Sequence, residues 1–92
     1  MVQIFIVRKL ESDLAEALLV VRCHEGSLRV GDRLSCAIDP VGARHSVNAQ
    51  CVEISLAKTV MVDELEGNFG GLVVLTGPNV SILSEGWTLC SE

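Results

Sequence analysis

Short runs of apolar residues, many of them β-branched, recur about every ten residues along this chain, with turn residues between them. No segment of useful length has the period of an amphipathic helix. The runs predict strands at residues 2–10, 16–25, 33–38, 46–56, 59–62, 71–76 and 87–90. The pattern therefore predicts an all-β protein, namely a small closed antiparallel β-barrel of about six to seven strands.

The size of the chain limits it to one domain. A chain of 92 residues, 49% hydrophobic and 21% charged, predicts a single ordered domain over residues 1–92. No apolar run approaches the roughly 18 residues that a membrane span requires. At the N-terminus the apolar residues precede the basic ones, which is the reverse of a secretory signal, so we expect a cytoplasmic protein.

The second predicted strand is apolar on both faces. Its odd positions from Ala17 to Cys23 are all apolar, and its even positions place Leu18 and Val20 between Glu16 and Arg22. A small barrel has one interior, so either the chain's own loops or another protein must cover the second apolar face. We expect another protein or a second copy to bind there, over an interaction surface of Leu18, Val20, Arg22 and Phe69.

The stretch GSLRVGDRLS at residues 26–35 predicts two successive turns. Leu28 and Val30 alternate between two glycines, and Leu34, Cys36 and Ile38 continue the alternation, so we expect all five side chains in the core. The spacing Leu-x-x-Gly-x-x-Leu occurs at residues 28–34 and again at 83–89. Both copies are typical of a short lead-in, a glycine turn and a closing strand.

The strand at residues 46–56 changes phase within its length. Val47, Ala49 and Cys51 alternate first, and Val52, Ile54 and Leu56 alternate afterwards. The sequence therefore predicts a β-bulge near Cys51 and Val52, with both sets facing inward.

The cysteines and charges disfavour several classes of function. Each of the four cysteines falls in an apolar run and no C-x-x-C pair exists, so we expect buried thiols rather than disulfides or a zinc site. The net charge is −5, and no Lys or Arg follows Lys58. This distribution disfavours binding to nucleic acid, although it suits a basic protein partner.

Three pieces of the chain resemble domain 2 of the translation GTPases, the small barrel of elongation factor Tu and its relatives. They are EGSLRVGDRL at residues 25–34, EGNFGGLVVLTG at 66–77 and LSEGWTL at 83–89, and SVNAQCVEI at 46–54 looks like the family's strand that ends in Val-Glu. The resemblance covers nearly all of the chain in the expected order. It implies a stand-alone barrel with translation-factor domain 2 topology, the reductase and elongation-factor type.

The same resemblance implies one candidate contact with RNA. In elongation factor Tu this domain receives the 3′ end of aminoacyl-tRNA, and Glu53 matches the glutamate that lies against the terminal adenosine. Under this alternative, Glu53 and Arg22 contact the RNA end. The basic residues that accompany that glutamate in the family are absent, apart from Lys58. No G-x-x-x-x-G-K-[ST] loop is present, which excludes nucleotide binding of the P-loop type.

Catalytic groups are few. His24 adjoins Cys23 on a strand, so the two side chains point to opposite faces, and His45 reads as an exposed loop residue. Asp63, Glu64 and Glu66 lack the spacing of a calcium loop. We expect no catalytic residues, metal or cofactor, and predict a protein-interaction module. The alternatives are a protein that binds the 3′ end of tRNA or other RNA, and a small acidic inhibitor or immunity-type protein.

Overall fold

The computed structural model of the chain, which describes residues 1–57 and 60–91, is a small β-barrel. Its nine strands and one short 3-10 turn follow in the order β1 Gln3–Ser12, β2 Glu16–Glu25, β3 Leu28–Arg29, β4 Arg33–Ile38, β5 Arg44–Ala57, β6 Val60–Val62, β7 Glu64–Leu65, β8 Gly70–Thr76, the 3-10 turn Val80–Ile82, and β9 Thr88–Cys90. Within the described ranges, no helix has the length and apolar character needed to span a membrane.

Six strands close into a ring in the order β4–β9–β1–β2–β8–β5, and β5 pairs back with β4. All of these pairings are antiparallel. β6 pairs with the last part of β5, and β3 and β7 form a separate two-stranded ladder. The prediction of an all-β barrel is confirmed. β2 and β4 begin and end at the predicted residues. Thr59, the predicted first residue of β6, lies outside the described residues.

The core is filled by the inward residues of the ring strands. Ala17, Leu19, Val21 and Cys23 of β2 are fully or almost fully buried, and so are Val73 and Leu75 of the neighbouring β8. The two Leu-x-x-Gly-x-x-Leu segments behave as predicted: Leu28, Leu34, Leu83 and Leu89 all have 0% exposure. The interior of the barrel is therefore complete without the apolar residues on the outer faces of β1 and β2.

The prediction that Val30 faces the core is wrong. Val30 is 43% exposed, because β3 ends at Arg29 and the chain has already entered the next turn. In that turn the Val30 N–H donates to the Asp63 carbonyl oxygen at 3.0 Å, and the Asp32 carboxylate accepts from the Arg29 N–H at 2.8 Å. The backbone at Val30 is thus held by hydrogen bonds while its side chain points outward.

The prediction for Ile38 is also wrong, whereas Cys36 is buried as predicted. The β4–β5 register shifts between Leu34 and Cys36, so that Ala37 joins the core cluster and its two neighbours do not. Cys36 is paired with Ser46 and stays buried at the margin of the core cluster, and Ile38 is half-buried. A one-residue slip exchanges the two faces of a strand, which explains why Ala37 rather than Ile38 joins the core cluster.

The predicted bulge in β5 is confirmed, and its consequence for the later residues is corrected. The β5–β8 register shifts between Cys51 and Glu53, and Val52 is the additional residue. Val47, Ala49 and Cys51 are buried before the shift, but only Ile54 is buried after it. Val52 and Leu56 are 42% and 50% exposed. Val52 points outward because the bulge leaves it without an opposite residue.

Candidate interaction face

The outer face of β2 carries the predicted row of residues. Leu18 and Val20 are half-buried and Arg22 is exposed. The neighbouring β8 places Val74, Leu72 and Gly70 directly opposite these three residues. Because directly paired residues share a face, the apolar strip on β2 continues across β8. We name the outer surface of β1, β2 and β8 the outer face.

A shallow groove of about 580 Å³ crosses the outer face. Its walls are apolar apart from two side chains, Arg22 and His24. The remaining lining residues are Phe5, Val7, Val20, Val21, Leu56, Gly70, Gly71 and Leu72. Gly70, directly opposite Arg22, has no side chain to fill this part of the face. The groove thus has an apolar body and one cationic edge.

His24 packs against Phe5 at the edge of this groove. The two rings are stacked, with centroids 5.6 Å apart and an interplanar angle of 4°. The adjacent Cys23 is fully buried in the core, which confirms that Cys23 and His24 point to opposite faces. His24 therefore contributes to the outer face and has no thiol beside it.

The other predicted surface residues lie in neighbouring depressions. Leu18 lines one of about 340 Å³ together with Glu11, Ser12, Asp13 and Glu16. Phe69, which is 57% exposed, lines a third cavity of about 160 Å³ with Leu56, Glu64, Leu65 and Glu66. Only Val20 and Arg22 of the four predicted residues share the groove. Leu56 lines both the groove and the cavity of Phe69, and it connects them.

Glu53 lies apart from Arg22 on the surface. Glu53 is exposed on β5 and pairs with Val74, whereas Arg22 pairs with Gly70. These two positions on β8 are four residues apart, which corresponds to roughly 13 Å along the strand. The two residues proposed for an RNA end therefore do not form one compact site. Lys58, the basic residue considered beside Glu53, lies outside the described residues.

A second polar cluster surrounds His45, which belongs to β5 and is half-buried rather than an exposed loop residue. Its Nε2 lies 2.9 Å from Asp39 Oδ2, and its ring packs on Trp87 with centroids 4.8 Å apart. The hydrogen bond to His45 lowers the pKa of Asp39, and the N–H groups of Ala43 and Val41 lower it further. These bonds fix the loop between β4 and β5.

The cluster does not form a complete catalytic arrangement. Among the side chains that the structure describes, no serine, threonine or cysteine donates a hydrogen bond to His24 or His45. The same residues include no group of three or more His, Cys, Asp or Glu side chains that could hold a metal ion. Burial raises the pKa of the Cys51 thiol to about 11 and also raises that of Cys23. Thiols with raised pKa values are poor nucleophiles at neutral pH.

Sequence reasoning missed Leu72, Leu56 and the Phe5–His24 stack. A signal for Leu72 was present, because the run GLVVLT has apolar residues on both faces just as β2 does. Leu56 was expected in the core. The stack joins residues on two different strands, and only the β1–β2 register brings them together.

Comparison with known proteins identifies a similar fold but no family. No family model and no curated protein match the chain. Among solved structures, the translation elongation factor SelB from Methanococcus maripaludis, in its apo form, is similar with a TM-score of 0.74 and 15% identity. The match covers 99% of this chain and 19% of the SelB chain, so the chain spans about a fifth of that protein. The chain has a β-barrel fold like that of a domain of a translation factor.

Proposed function

We propose that this chain is a non-catalytic module that binds another protein through the outer face. The observation that carries the proposal is the apolar groove on the outside of a barrel whose interior is already filled. Val7 and Leu56 in this groove are each 50% exposed. An apolar groove of this kind on a small protein is typical of an interaction site.

The charges on the outer face indicate which charged groups a partner needs. Arg22 borders the groove at one end, and Glu11, Asp13 and Glu16 line the depression beside Leu18 at the other. From Glu16 to Arg22 the strand extends roughly 20 Å. A complementary partner segment therefore carries an acidic group that faces Arg22, apolar residues that face the groove, and a basic group that faces the acidic residues beside Leu18. The outer face of a second copy, placed antiparallel across the first, meets these requirements because Glu16 then faces Arg22.

Two further features support the non-catalytic part of the proposal. The described histidines bond to a carboxylate or stack on a ring, and neither is paired with a nucleophile. The translation-factor-like fold and the four buried thiols are typical of a cytoplasmic protein, which is the location that we propose.

The proposal predicts that changes in the groove weaken partner binding without unfolding the barrel. Val20→Glu places a charge in the apolar strip, and Arg22→Glu reverses the charge at its edge. For each variant we expect affinity to fall about tenfold or more, as for a residue at the centre of an interface. The wild-type chain is used as bait, the captured protein is identified and purified, and its affinity is measured by calorimetry. Light scattering over a range of concentrations tests self-association.

Val41→Glu provides the matched control, because Val41 is 90% exposed on the loop between β4 and β5 and lies outside the groove. This variant should bind as the wild type does. Circular dichroism and thermal unfolding show whether each variant is folded, and Arg22→Glu changes only an exposed residue. Equal binding by all three variants, with the wild type monomeric at every concentration, would contradict the proposal.

An RNA 3′ end is the second candidate, because the groove combines stacked rings with an arginine. Unpaired bases stack on aromatic and histidine rings, and Arg22 can approach a phosphate. The net charge of −5 opposes this binding. We therefore expect no binding of a fluorescent CCA-ended oligonucleotide below millimolar concentration at low salt. Micromolar binding that is lost in Arg22→Glu but kept in Val41→Glu would favour the RNA candidate instead.

A further inference from the structure

Cys36 and Cys90 lie directly opposite each other on neighbouring strands. The β4–β9 register pairs Cys36 with Cys90, and the Cys90 Sγ lies 3.7 Å from the Cys36 carbonyl oxygen. Each of the two residues is 4% exposed. Both are thiols in the structure. Two thiols are thus held side by side across one ladder.

This cysteine pair lies at the margin of the core, where both residues are buried. The next pair along the ladder, Ala37 and Leu89, belongs to the core cluster, whereas Cys36 and Cys90 do not. Cys36 also lines a small surface pocket of about 140 Å³ with Ser35, Arg44, His45 and Ser46. Cys36 thus lies beside the surface, so that a small opening of this pocket would admit a solute to its thiol. Cys23 and Cys51, in contrast, belong to the core cluster.

The backbone geometry of the pair fits a disulfide. The Ser91 N–H donates to the carbonyl oxygen of Val2, which precedes β1. Successive residues of a strand direct their N–H and C=O groups to opposite sides, so those of the preceding residue, Cys90, point toward β4. Cys36 and Cys90 are therefore a hydrogen-bonded antiparallel pair, for which the Cα–Cα distance is about 5.5 Å. Disulfides span Cα–Cα distances of about 4.4–6.8 Å. The Cβ–Cβ distance of such a pair, about 5 Å, must shorten to about 4 Å, so the disulfide requires rotation of both side chains and a small movement of β9 toward β4.

We propose that Cys36 and Cys90 are a site of reversible oxidation to an intrachain disulfide that joins β4 to β9. The oxidant is a peroxide. One thiolate attacks a peroxide oxygen, the O–O bond breaks, and a sulfenic acid and water form. The second thiol then attacks the sulfenic sulfur, the S–S bond forms, and a second water leaves. In total, two thiols lose two electrons and two protons to one molecule of hydrogen peroxide, which becomes two molecules of water.

The disulfide would covalently join β4 to β9, which is the shortest strand of the ring. β9 has three residues, and they alone connect β4 to β1 in the ring. A covalent bond between residues 54 positions apart restricts the unfolded chain strongly. We expect the oxidised protein to unfold at a temperature about 5 °C or more above that of the reduced protein.

Peptide mapping of the full chain tests the proposal, because each cysteine falls in a different tryptic peptide. Treatment of the folded protein with hydrogen peroxide should lower its mass by about 2 Da, the mass of two hydrogen atoms. Digestion without reductant should give peptide 34–44 linked to peptide 59–92. Dithiothreitol should separate the two peptides and return the unfolding temperature to its initial value.

Two variants and one solvent condition serve as controls. Cys36→Ser should lose both the linked peptide and the change in unfolding temperature, whereas Cys23→Ala, which removes a core thiol, should keep them. Oxidation in urea should give mixed pairings, because only the fold holds Cys36 beside Cys90. The proposal is overturned if the folded wild-type protein gains oxygen on single cysteines, forms dimers between chains, or links any other pair of peptides.

Discussion

Replacing Gly77 with alanine is expected to lower the free energy of unfolding by about 3 kcal/mol or more. Gly77 follows β8 with a φ of +153°, a conformation that L side chains rarely adopt. An added Cβ would lie 1.9 Å from the Asn48 carbonyl oxygen and 3.3 Å from the Ala49 Cα. Both contacts are with the backbone of β5, so no side-chain rotation can relieve them. The Gly77 N–H also donates to the Ala15 carbonyl at 2.9 Å, which fixes the residue between two strands.

Gly31→Ala separates the steric clash from the strain of a positive φ. Gly31 has a φ of +99°, but an added Cβ would meet no atom within 4 Å. We expect this control to cost about 1 to 2 kcal/mol, which is the strain of the backbone conformation alone. Urea unfolding followed by circular dichroism measures both variants. Equal losses at the two positions would show that β5 moves away from residue 77 and would refute the steric explanation.

The glycine-punctuated parts of the fold could be predicted because their determinants are local. The two Leu-x-x-Gly-x-x-Leu segments bury all four leucines, and their glycines have φ angles of +99° and +85°. Alternating apolar residues and a glycine that permits the turn are enough to specify each unit. The glycine turns and the four buried leucines follow from these local features, whereas the outward direction of Val30 depends on where the β3–β7 ladder ends.

The inward set of β4 could not be predicted, because it depends on pairing between distant segments. Leu34, Cys36 and Ile38 alternate cleanly in the sequence. The shift after Leu34 arises where β4 pairs with β5 on one side and with β9 on the other. After the shift Ala37, the smallest residue of the run, faces the core opposite Leu89. A small residue opposite a large one is a packing choice that periodicity does not reveal.

The candidate site was predicted in part for a similar reason. The second apolar face of β2 was evident from the sequence and is what places Val20 in the groove. Phe69, however, precedes β8, and Asn68 beside it has a φ of +71°. Phe69 lines a cavity with Leu65 rather than the groove that Arg22 lines. Linear proximity of Phe69 to β8 does not show which cavity the ring enters.

The phase of β5 after its bulge leads to the second large expected effect. Val52, Ile54 and Leu56 are equivalent in the sequence, but in the structure Ile54 is 0% exposed while Val52 is 42% and Leu56 is 50% exposed. Ile54→Ala removes buried carbons from the core and leaves a cavity. We expect the free energy of unfolding to fall by about 3 to 4 kcal/mol.

Val52→Ala and Leu56→Ala are the matched controls on the same strand, and each should cost less than about 1 kcal/mol because the side chain is half in solvent. Urea unfolding of the three variants compares them directly. If the strand kept the inward alternation that its sequence suggests, all three losses would be similar and large. A large loss at Ile54 alone would show that the change of phase at Val52 turns Ile54 inward. Leu56 has the same phase as Ile54, but it lies beyond the last β5–β8 pair, Ser55 and Leu72, and at a second register shift, in the β5–β6 pairing. It is therefore left on the surface, where it lines both the groove and the cavity of Phe69.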